Sequence, residues 1–301
     1  MYRILSTDGM AKSAVQKLKS LGYEVVEEFY EPEALAEKVK EFDALVVRSA
    51  TKVRAPIIDA AASAGKLKII IRGGVGVDNI DVDYAKSKGI AVANTPNASS
   101  ASVAELAIAH MLALARFVAI ANVTMREGLW EKKAYKGVEL TGKTLGILGM
   151  GRIGKETAKR AEALGMKVIY AGRSKKEDVG YEYVSTDELL KRADVVSLHM
   201  PAVKGQPPLV NADFLNKMKD GAYLINTARG ALVDENALLN ALDSGKLAGA
   251  GLDVYAEEPS KNERLLHHAK VSITPHIGGT TKEAQDRIGE EIVEIIQNTL
   301  K

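Results

Sequence analysis

The 301-residue chain has no cysteine. Disulfides, thiolate catalysis and cysteine-ligated zinc are excluded with it. It also lacks an excess of either charge: 41 basic residues against 39 acidic ones leave a formal net charge of +2. No polyanion-binding field follows, so nucleic acid is not an expected partner. No apolar run reaches the roughly 20 residues that span a bilayer. The opening MYRILSTDGM lacks the apolar core of a secretory signal. The most apolar stretch, Ala101–Ala115, carries Glu105 and His110 and reads as a buried helix, so no membrane partner is expected. No repeat of solenoid period and no low-complexity tract is visible. The apolar share is 46% and the charged share 27%, ordinary for a globular protein. The length suits two domains, and a cytoplasmic enzyme is the leading class.

What is present is alternation. Tyr2–Ser6, Glu24–Glu27, Ala44–Arg48, Lys68–Ile71 and Ala91–Asn94 read as strands. Between them, Ala11–Leu21, Pro32–Glu41, Pro56–Ala64 and Asp81–Lys88 read as helices. Strands interleaved with helices mean βαβ units and a parallel sheet. After the turn signal at Asn94-Thr95-Pro96-Asn97 comes a long alanine-rich helix with little polar face, and Ser102 and Glu105 form a potential capping box near its start. A second alternating block begins at Lys143. Its expected strands are Thr144–Leu148, Lys167–Tyr170, Val195–His199, Ala222–Asn226, Ala248–Leu252 and Val271–Ile273. The final helix, Lys282–Leu300, sets Ile288, Ile292, Ile295 and Ile296 on one face. It is expected to return to the first block. The fold class is thus α/β with two doubly wound parallel-sheet domains, residues 1–95 plus 282–301 and residues 96–281.

The stretch TLGILGMGRIG gives a strand, the loop Gly149-Met150-Gly151-Arg152-Ile153-Gly154, and a helix over Lys155–Leu164. In that context the glycines suit a dinucleotide pyrophosphate seated at the positive end of a helix. Gly149 would make the tight turn, Gly151 would let the backbone approach the phosphates, and Gly154 would let helix and strand pack. The next strand ends in KVIYAGRS, about 20 residues on, where an acid often holds the ribose hydroxyls of NAD. Here Gly172 leaves space, Arg173 supplies a cation and Ser174 a hydroxyl. That combination accommodates the 2′-phosphate of NADP. The expected cofactor is NAD or NADP, with NADP acceptance suggested by Gly172-Arg173-Ser174.

Three later segments each place a polar residue just past a strand: Arg229 in NTARGALVDE, Asp253 and Glu258 in GLDVYAEEP, and His276 in TPHIGGTT. Ligands of open α/β sheets bind beyond the carboxyl ends of the strands. An arginine, an acid and a histidine there suit hydride transfer at a hydroxyl-bearing carbon. His276 would exchange the alcohol proton, Glu258 would orient the imidazole and favour its charged form, and Arg229 would fork onto a carboxylate. His110 reads as a satisfied core histidine, and His267 and His268 as loop residues. No metal site is expected.

Together GVGVDNID, NTPNASSASVAE, LGILGMGRIG, NTARGALVDE, GLDVYAEEP and TPHIGGTT make the chain resemble the D-isomer-specific 2-hydroxyacid dehydrogenases over nearly its full length. The resemblance implies a flavodoxin-like substrate domain and a Rossmann dinucleotide-binding domain. It matches Arg229, Glu258 and His276 to the catalytic arginine, glutamate and histidine, with Glu258 preferred over Glu257. It places Arg152, Ile153, Thr227, Ala228, Asp253 and Gly278 along the cofactor cleft, Asp253 facing the nicotinamide carboxamide. His199 and Pro201, in SLHMP, fall on the adenine side. It also implies a homodimer with the helix after Pro96 buried in the contact.

Within the family the chain is most similar to the phosphoglycerate dehydrogenases, through LVVRSATKV, IIRGGVGVDN and GLWEKKAYKGVELTGKTLG. The expected substrate is a small 2-hydroxy or 2-keto acid, most simply 3-phosphoglycerate and 3-phosphohydroxypyruvate of serine biosynthesis. Arg48 and Arg72 would meet its phosphate. Ser49, Gly73, Gly74 and Val75 flank them, and Lys132 and Lys133 would add charge. Larger relatives carry C-terminal regulatory domains, so serine feedback of that kind is not expected. The alternative is an NADPH-dependent glyoxylate or hydroxypyruvate reductase of the same family, which Gly172-Arg173 favours. A distant alternative is a cofactor-sensing, corepressor-like binding protein. It would need partner surfaces outside the enzyme core.

Overall fold

The computed structural model describes residues 1–203 and 205–301. The chain divides into two compact units, Met1–Ser99 with Gly279–Lys301, and Ser100–Gly278.

The first unit is built on strands β1 (Arg3–Ser6), β2 (Glu24–Glu27), β3 (Ala44–Val47), β4 (Ile69–Arg72) and β5 (Ala91–Asn94). They lie in the order β2-β1-β3-β4-β5, and every pairing is parallel. That is the flavodoxin-like order, with its switch point between β1 and β3. All four residues of β3 are buried, because helices cover both faces of the sheet. On one face Ile4, Val46, Ile69 and Ile71 pack against α1 (Lys12–Ser20) and α12 (Lys282–Thr299). On the other, Leu5, Leu45, Val47 and Ile70 meet Leu35 of α2 (Pro32–Lys38), Ile57 and Ile58 of α3 (Ala55–Ala64) and Ala85 of α4 (Val82–Ser87).

Helix α12 belongs to this core through Ile288, Ile292 and Ile296, each worth about 1.5–3 kcal/mol on full burial. Thr281 caps it, its side chain accepting from Ala284 N at 3.1 Å. Gly289 lets it run close to α1, since a Cβ there would lie 2.8 Å from Cβ of Ala14.

The second unit carries seven parallel strands: β6 (Thr144–Leu148), β7 (Lys167–Ala171), β8 (Glu182–Tyr183), β9 (Val195–Leu198), β10 (Ala222–Asn226), β11 (Leu247–Leu252) and β12 (Val271–Ile273). Their order is β12-β11-β10-β9-β6-β7-β8. Counted from β6, this is the Rossmann order extended by one strand, and the switch point lies between β6 and β9. Its helices are α5 (Ser100–Ala115), α6 (Val118–Arg126), α7 (Arg152–Ala163), α8 (Thr186–Arg192), α9 (Ala212–Lys217), α10 (Glu235–Asp243) and α11 (Glu263–Leu266).

Several sequence expectations shift. The helix from Pro32 tightens into a 3-10 turn at Val39–Glu41. Helix α5 starts at Ser100, so Ser102 lies inside it, and Glu105 pairs with Arg160 of α7 at 3.0 Å instead of closing a capping box. The alanine-rich stretch breaks at Phe117, which takes φ 55°, and resumes as α6 at an angle of 64°. Among the described residues no single helix is long and apolar enough to cross a membrane. Helix α7 begins at Arg152, directly after the glycine loop, because Gly151 is its N-cap. The two-residue strand β8 is too short to carry a pattern.

Candidate active site

The three glycines after β6 have three different reasons to be glycine. Gly149 takes φ +100°, and a Cβ there would collide with the carbonyl of His199, at the end of β9. A Cβ on Gly154 would collide with the carbonyl of Gly149, so this residue sets how closely α7 lies on the loop. Gly151 has an ordinary extended backbone, φ −83° and ψ −163°. A Cβ there would meet nothing. The fold does not require that glycine. The open space it faces does, if a phosphate occupies it. No side chain caps α7, so its first N–H groups remain for an anion. Arg152 is exposed and Ile153 half-buried beside it.

Two buried polar atoms at neighbouring strand ends lack a protein partner: Nδ1 of His199 after β9 and Oγ1 of Thr227 after β10. His199 binds Ser197 Oγ through Nε2 at 2.8 Å, and burial pushes its pKa down to about 4. It is therefore neutral near pH 7. Unpartnered buried polar atoms at these strand ends fit a polar ligand along this edge. Pro201, past the end of β9, is exposed. These residues suit a dinucleotide.

The turn after β7 is open. Gly172, Arg173 and Ser174 are all exposed, and a Cβ on Gly172 would meet nothing. Tyr183 donates to the Gly172 carbonyl at 3.0 Å and Tyr170 Oη accepts from Lys176 N at 2.8 Å, which fixes the turn from beneath. Among the described residues Arg173 makes no ion pair.

The polar residues beyond β10, β11 and β12 converge within this unit. His276 Nδ1 lies 2.7 Å from Glu258 Oε2. Burial raises the Glu258 carboxyl, but the His276 bond and charge, the Tyr255 N–H and the Arg229 charge outweigh it and hold the carboxyl below its usual range. Glu258 is thus a carboxylate, and Nδ1 of His276 carries the proton between them. Glu257 instead faces Lys261 at 3.2 Å. Tyr255 N donates to Glu258 Oε1 at 3.2 Å. Asn226 Nδ2 donates to the Arg229 carbonyl at 2.8 Å, and Asn226 Oδ1 accepts from Ala228 N at 3.0 Å. Arg229 Nη1 donates to the Ala228 carbonyl at 2.6 Å. A Cβ on Gly230 would strike the Tyr255 carbonyl, so that glycine lets the Arg229 turn and the Glu258 loop pass in contact.

In the first unit the loop after β3 is pinned from two sides. Asp8 Oδ2 accepts from Arg48 N at 2.6 Å and Thr51 N at 3.1 Å. Asn79 Nδ2 donates to the Arg48 and Thr51 carbonyls, both at 2.7 Å. Ser49, between them, is exposed. The loop after β4 lies alongside: a Cβ on Gly73 would sit 3.6 Å from Cγ of Arg48. A Cβ on Gly74, at φ +145°, would collide with the Arg72 guanidinium, which folds across that residue. Val75 is half-buried, its carbonyl accepting from Asn94 Nδ2 at 2.5 Å. Lys132 is exposed in the stretch after α6.

Residues 108–278 match the family model for the D-isomer specific 2-hydroxyacid dehydrogenase NAD binding domain. A hydroxypyruvate reductase of Thermotoga maritima is 51% identical over 98% of this chain and 97% of its own length. The chain belongs to the D-isomer specific 2-hydroxyacid dehydrogenase family. A D-3-phosphoglycerate dehydrogenase of Methanocaldococcus jannaschii is 45% identical over 100% of this chain but 58% of its own length, so the chain spans little more than half of that relative. The NADPH-dependent glyoxylate/hydroxypyruvate reductase of Sinorhizobium meliloti, solved with NADP and malonate, aligns with a TM-score of 0.88 at 31% identity, covering 100% of this chain and 94% of that one.

As a D-2-hydroxyacid dehydrogenase the chain is an oxidoreductase that uses NAD or NADP. One feature of such a site escaped the sequence. Asp253 is 1% exposed, and its carboxylate is committed to the His276 loop: Oδ1 accepts from Ile277 N at 2.8 Å and Thr274 Oγ1 at 2.6 Å, and Oδ2 from Gly278 N at 2.8 Å. The family resemblance implied that Asp253 faces the nicotinamide carboxamide, and nothing in the sequence signalled this use. Gly278 is buried, and a Cβ there would sit 3.0 Å from Asp253 Oδ2.

Proposed function

We propose that this enzyme interconverts a three-carbon 2-keto acid bearing oxygen at C3 and the matching D-2-hydroxy acid, with hydroxypyruvate and D-glycerate turned over best. The observation that carries the chemistry is the 2.7 Å contact between His276 and Glu258. With Nδ1–H bound to the carboxylate, Nε2 holds the proton that the C2 oxygen gains on reduction and loses on oxidation. Arg229 forks onto the C1 carboxylate and polarises the C2 carbonyl. A nicotinamide cofactor, when bound, supplies or takes the hydride. Gly149, Gly151 and the first turn of α7 hold its pyrophosphate, and Thr227 and His199 offer it polar atoms. Cofactor binding is assigned to the second unit.

Hydroxypyruvate stands first because the Thermotoga maritima relative, 51% identical, is named for it. This reverses the order drawn from sequence alone. The phosphorylated keto acid is the second reading. It is favoured by Arg48 and Arg72 on adjoining loops of the first unit, since two guanidinium groups suit a phosphate dianion. Ser49, Gly73, Gly74 and Val75 would supply neighbouring polar contacts, and Lys132 further charge. The test is kcat/KM for hydroxypyruvate, 3-phosphohydroxypyruvate and glyoxylate, each with NADH and NADPH. Hydroxypyruvate is expected to lead; a lead for the phosphorylated acid overturns this order and selects the second reading.

The same reading includes a homodimer and a cytoplasmic site of action, where nicotinamide cofactors and small keto acids are turned over. Helix α5 buries Val103, Ala104, Ala107 and Met111 within its own unit. A run of exposed apolar side chains lies on α6 and just beyond it: Val118, Val123, Met125, Leu129 and Trp130, the last 79% exposed; Leu112 of α5 is exposed as well. Such a patch suits a subunit contact. Sedimentation of Val123→Asp is expected to give a monomer; a wild-type monomer at micromolar concentration rejects the dimer.

A further inference from the structure

His110 lies in the middle of α5 and is 2% exposed. A buried imidazole is tolerated when both nitrogens are bonded. Both are here: Nδ1 is 2.9 Å from Ser272 Oγ and Nε2 is 3.1 Å from Thr274 Oγ1. The far end of the chain of bonds fixes their direction. Thr274 Oγ1 is 2.6 Å from Asp253 Oδ1, and a carboxylate only accepts, so the threonine spends its proton there. Toward His110 it must accept. The imidazole proton therefore sits on Nε2, and Nδ1 accepts from Ser272.

The bonds continue past Asp253. Its oxygens accept from Ile277 N and Gly278 N, both at 2.8 Å. Those residues and Thr274 bracket His276, whose φ of 54° is a conformation that side chains other than glycine rarely adopt. A loop in that shape needs to be held, and Asp253 holds it on both sides of the histidine. The sheet makes room for His110 to take part. A Cβ on Gly251 of β11 would lie 2.6 Å from Cβ of His110. Gly249, on the same face, receives Leu114 in the same way, its own Cβ position lying 3.0 Å from Leu114 Cδ2.

We infer that His110 is a positioning residue: a neutral Nε2–H imidazole that acts through Thr274 and Asp253 to set the loop carrying His276. This rests on His276 being the acid–base group proposed above. Burial lowers the His110 pKa, more than the nearby Asp253 charge raises it, which agrees with a neutral ring. His110 touches no reacting atom. Its effect belongs to the orientation of another side chain, where a displacement of about 1 Å can cost on the order of 100-fold in rate.

The experiment compares wild type with His110→Leu, which keeps bulk and loses both bonds, and His110→Gln, which keeps one donor and one acceptor. Steady-state kinetics across pH and thermal unfolding are read on each. His110→Leu is expected to lower kcat about 10- to 100-fold, move the pH limb of kcat/KM, and leave the cofactor KM nearly unchanged. His110→Gln is expected to recover most of kcat. A lowered Tm with unchanged kcat and pH profile in His110→Leu makes the residue merely structural and overturns the inference. If His110→Leu does not fold, Ser272→Ala decides: it must move kcat and the pH limb in the same direction, or the inference falls. His276→Ala is run alongside. Turnover that survives in His276→Ala removes the acid–base reading itself, whereas loss there with no effect at His110 removes this inference alone.

Discussion

Glu258 Oε2 and His276 Nδ1 lie 2.7 Å apart, and the carboxylate end of that pair is held below the usual acid range. The carboxylate is therefore charged near pH 7. Below the ordinary carboxyl range, near pH 4.5, the unfolded chain begins to take up protons that folded Glu258 refuses. The stabilisation from this pair is therefore complete above that pH and lost as pH falls through the lower, folded value. Catalysis depends on the same charge. Glu258→Gln is expected to lower kcat about 100- to 10,000-fold and to lower Tm modestly at pH 7, measured by steady-state kinetics and scanning calorimetry. A variant within a few-fold of wild type would remove the carboxylate from the mechanism.

The glycine loop makes a contrast that one pair of variants can read. Gly151→Ala places a methyl group where the protein has nothing, at an ordinary φ. It is expected to keep its Tm and lose cofactor affinity, by titration of the quenching of Trp130 or by calorimetry. Gly154→Ala forces a methyl group onto the Gly149 carbonyl. It is expected to destabilise the fold by about 1–3 kcal/mol. If Gly151→Ala binds cofactor like wild type, the pyrophosphate does not lie over this residue.

Cofactor choice turns on residues that the fold leaves alone. Gly172 has open space around it and Arg173 is exposed, so both can change without repacking. Gly172→Asp with Arg173→Ala is expected to move the NADPH-to-NADH ratio of kcat/KM toward NADH by about 10- to 100-fold, the worth of a charged hydrogen bond to a phosphate. An unmoved ratio would mean that Arg173 points away from the adenosine ribose.

His199 supplies a pH-dependent stability term. Its pKa falls to about 4 in the folded protein because burial penalises the charged ring. The unfolded chain protonates the same histidine near pH 6.5. Stability from this group is full above about pH 6.5 and declines as pH drops toward 4, by about 3 kcal/mol at about 1.4 kcal/mol per unit. Urea midpoints between pH 7 and 4 should show this slope, and His199→Asn should flatten it. An identical slope in the variant would assign the loss to other groups.

Much of this molecule could be read before folding. Buried strands such as Ala44–Val47 and Thr144–Leu148 announce themselves as short apolar runs between turn residues, because a parallel sheet is covered on both faces. Glu258 and His276 were legible as a pair because each follows a strand, and strand ends share one edge. The break at Phe117 was not legible: alanine-rich sequence continues across it, and one left-handed residue leaves no periodic trace. The partners of His110 were hidden too. Its neighbours Ser272 and Thr274 lie 162 and 164 residues away, and only the packing of α5 on β11 and β12 brings them together. The sequence could say that this histidine was satisfied, but not by what.

The second unit is inserted between two pieces of the first. Ile288, Ile292 and Ile296 of α12 pack with Ile4, Val46 and Ile69, so that face of the first sheet is covered only in part, by α1, until α12 arrives. On the ribosome the residues of the second unit emerge before that helix does. The part of the chain made first is thus the last to be finished. Its nascent sheet waits with part of one apolar face exposed while some 180 residues are added and folded, and at translation rates of about 5–20 residues per second that wait lasts roughly 10–40 seconds.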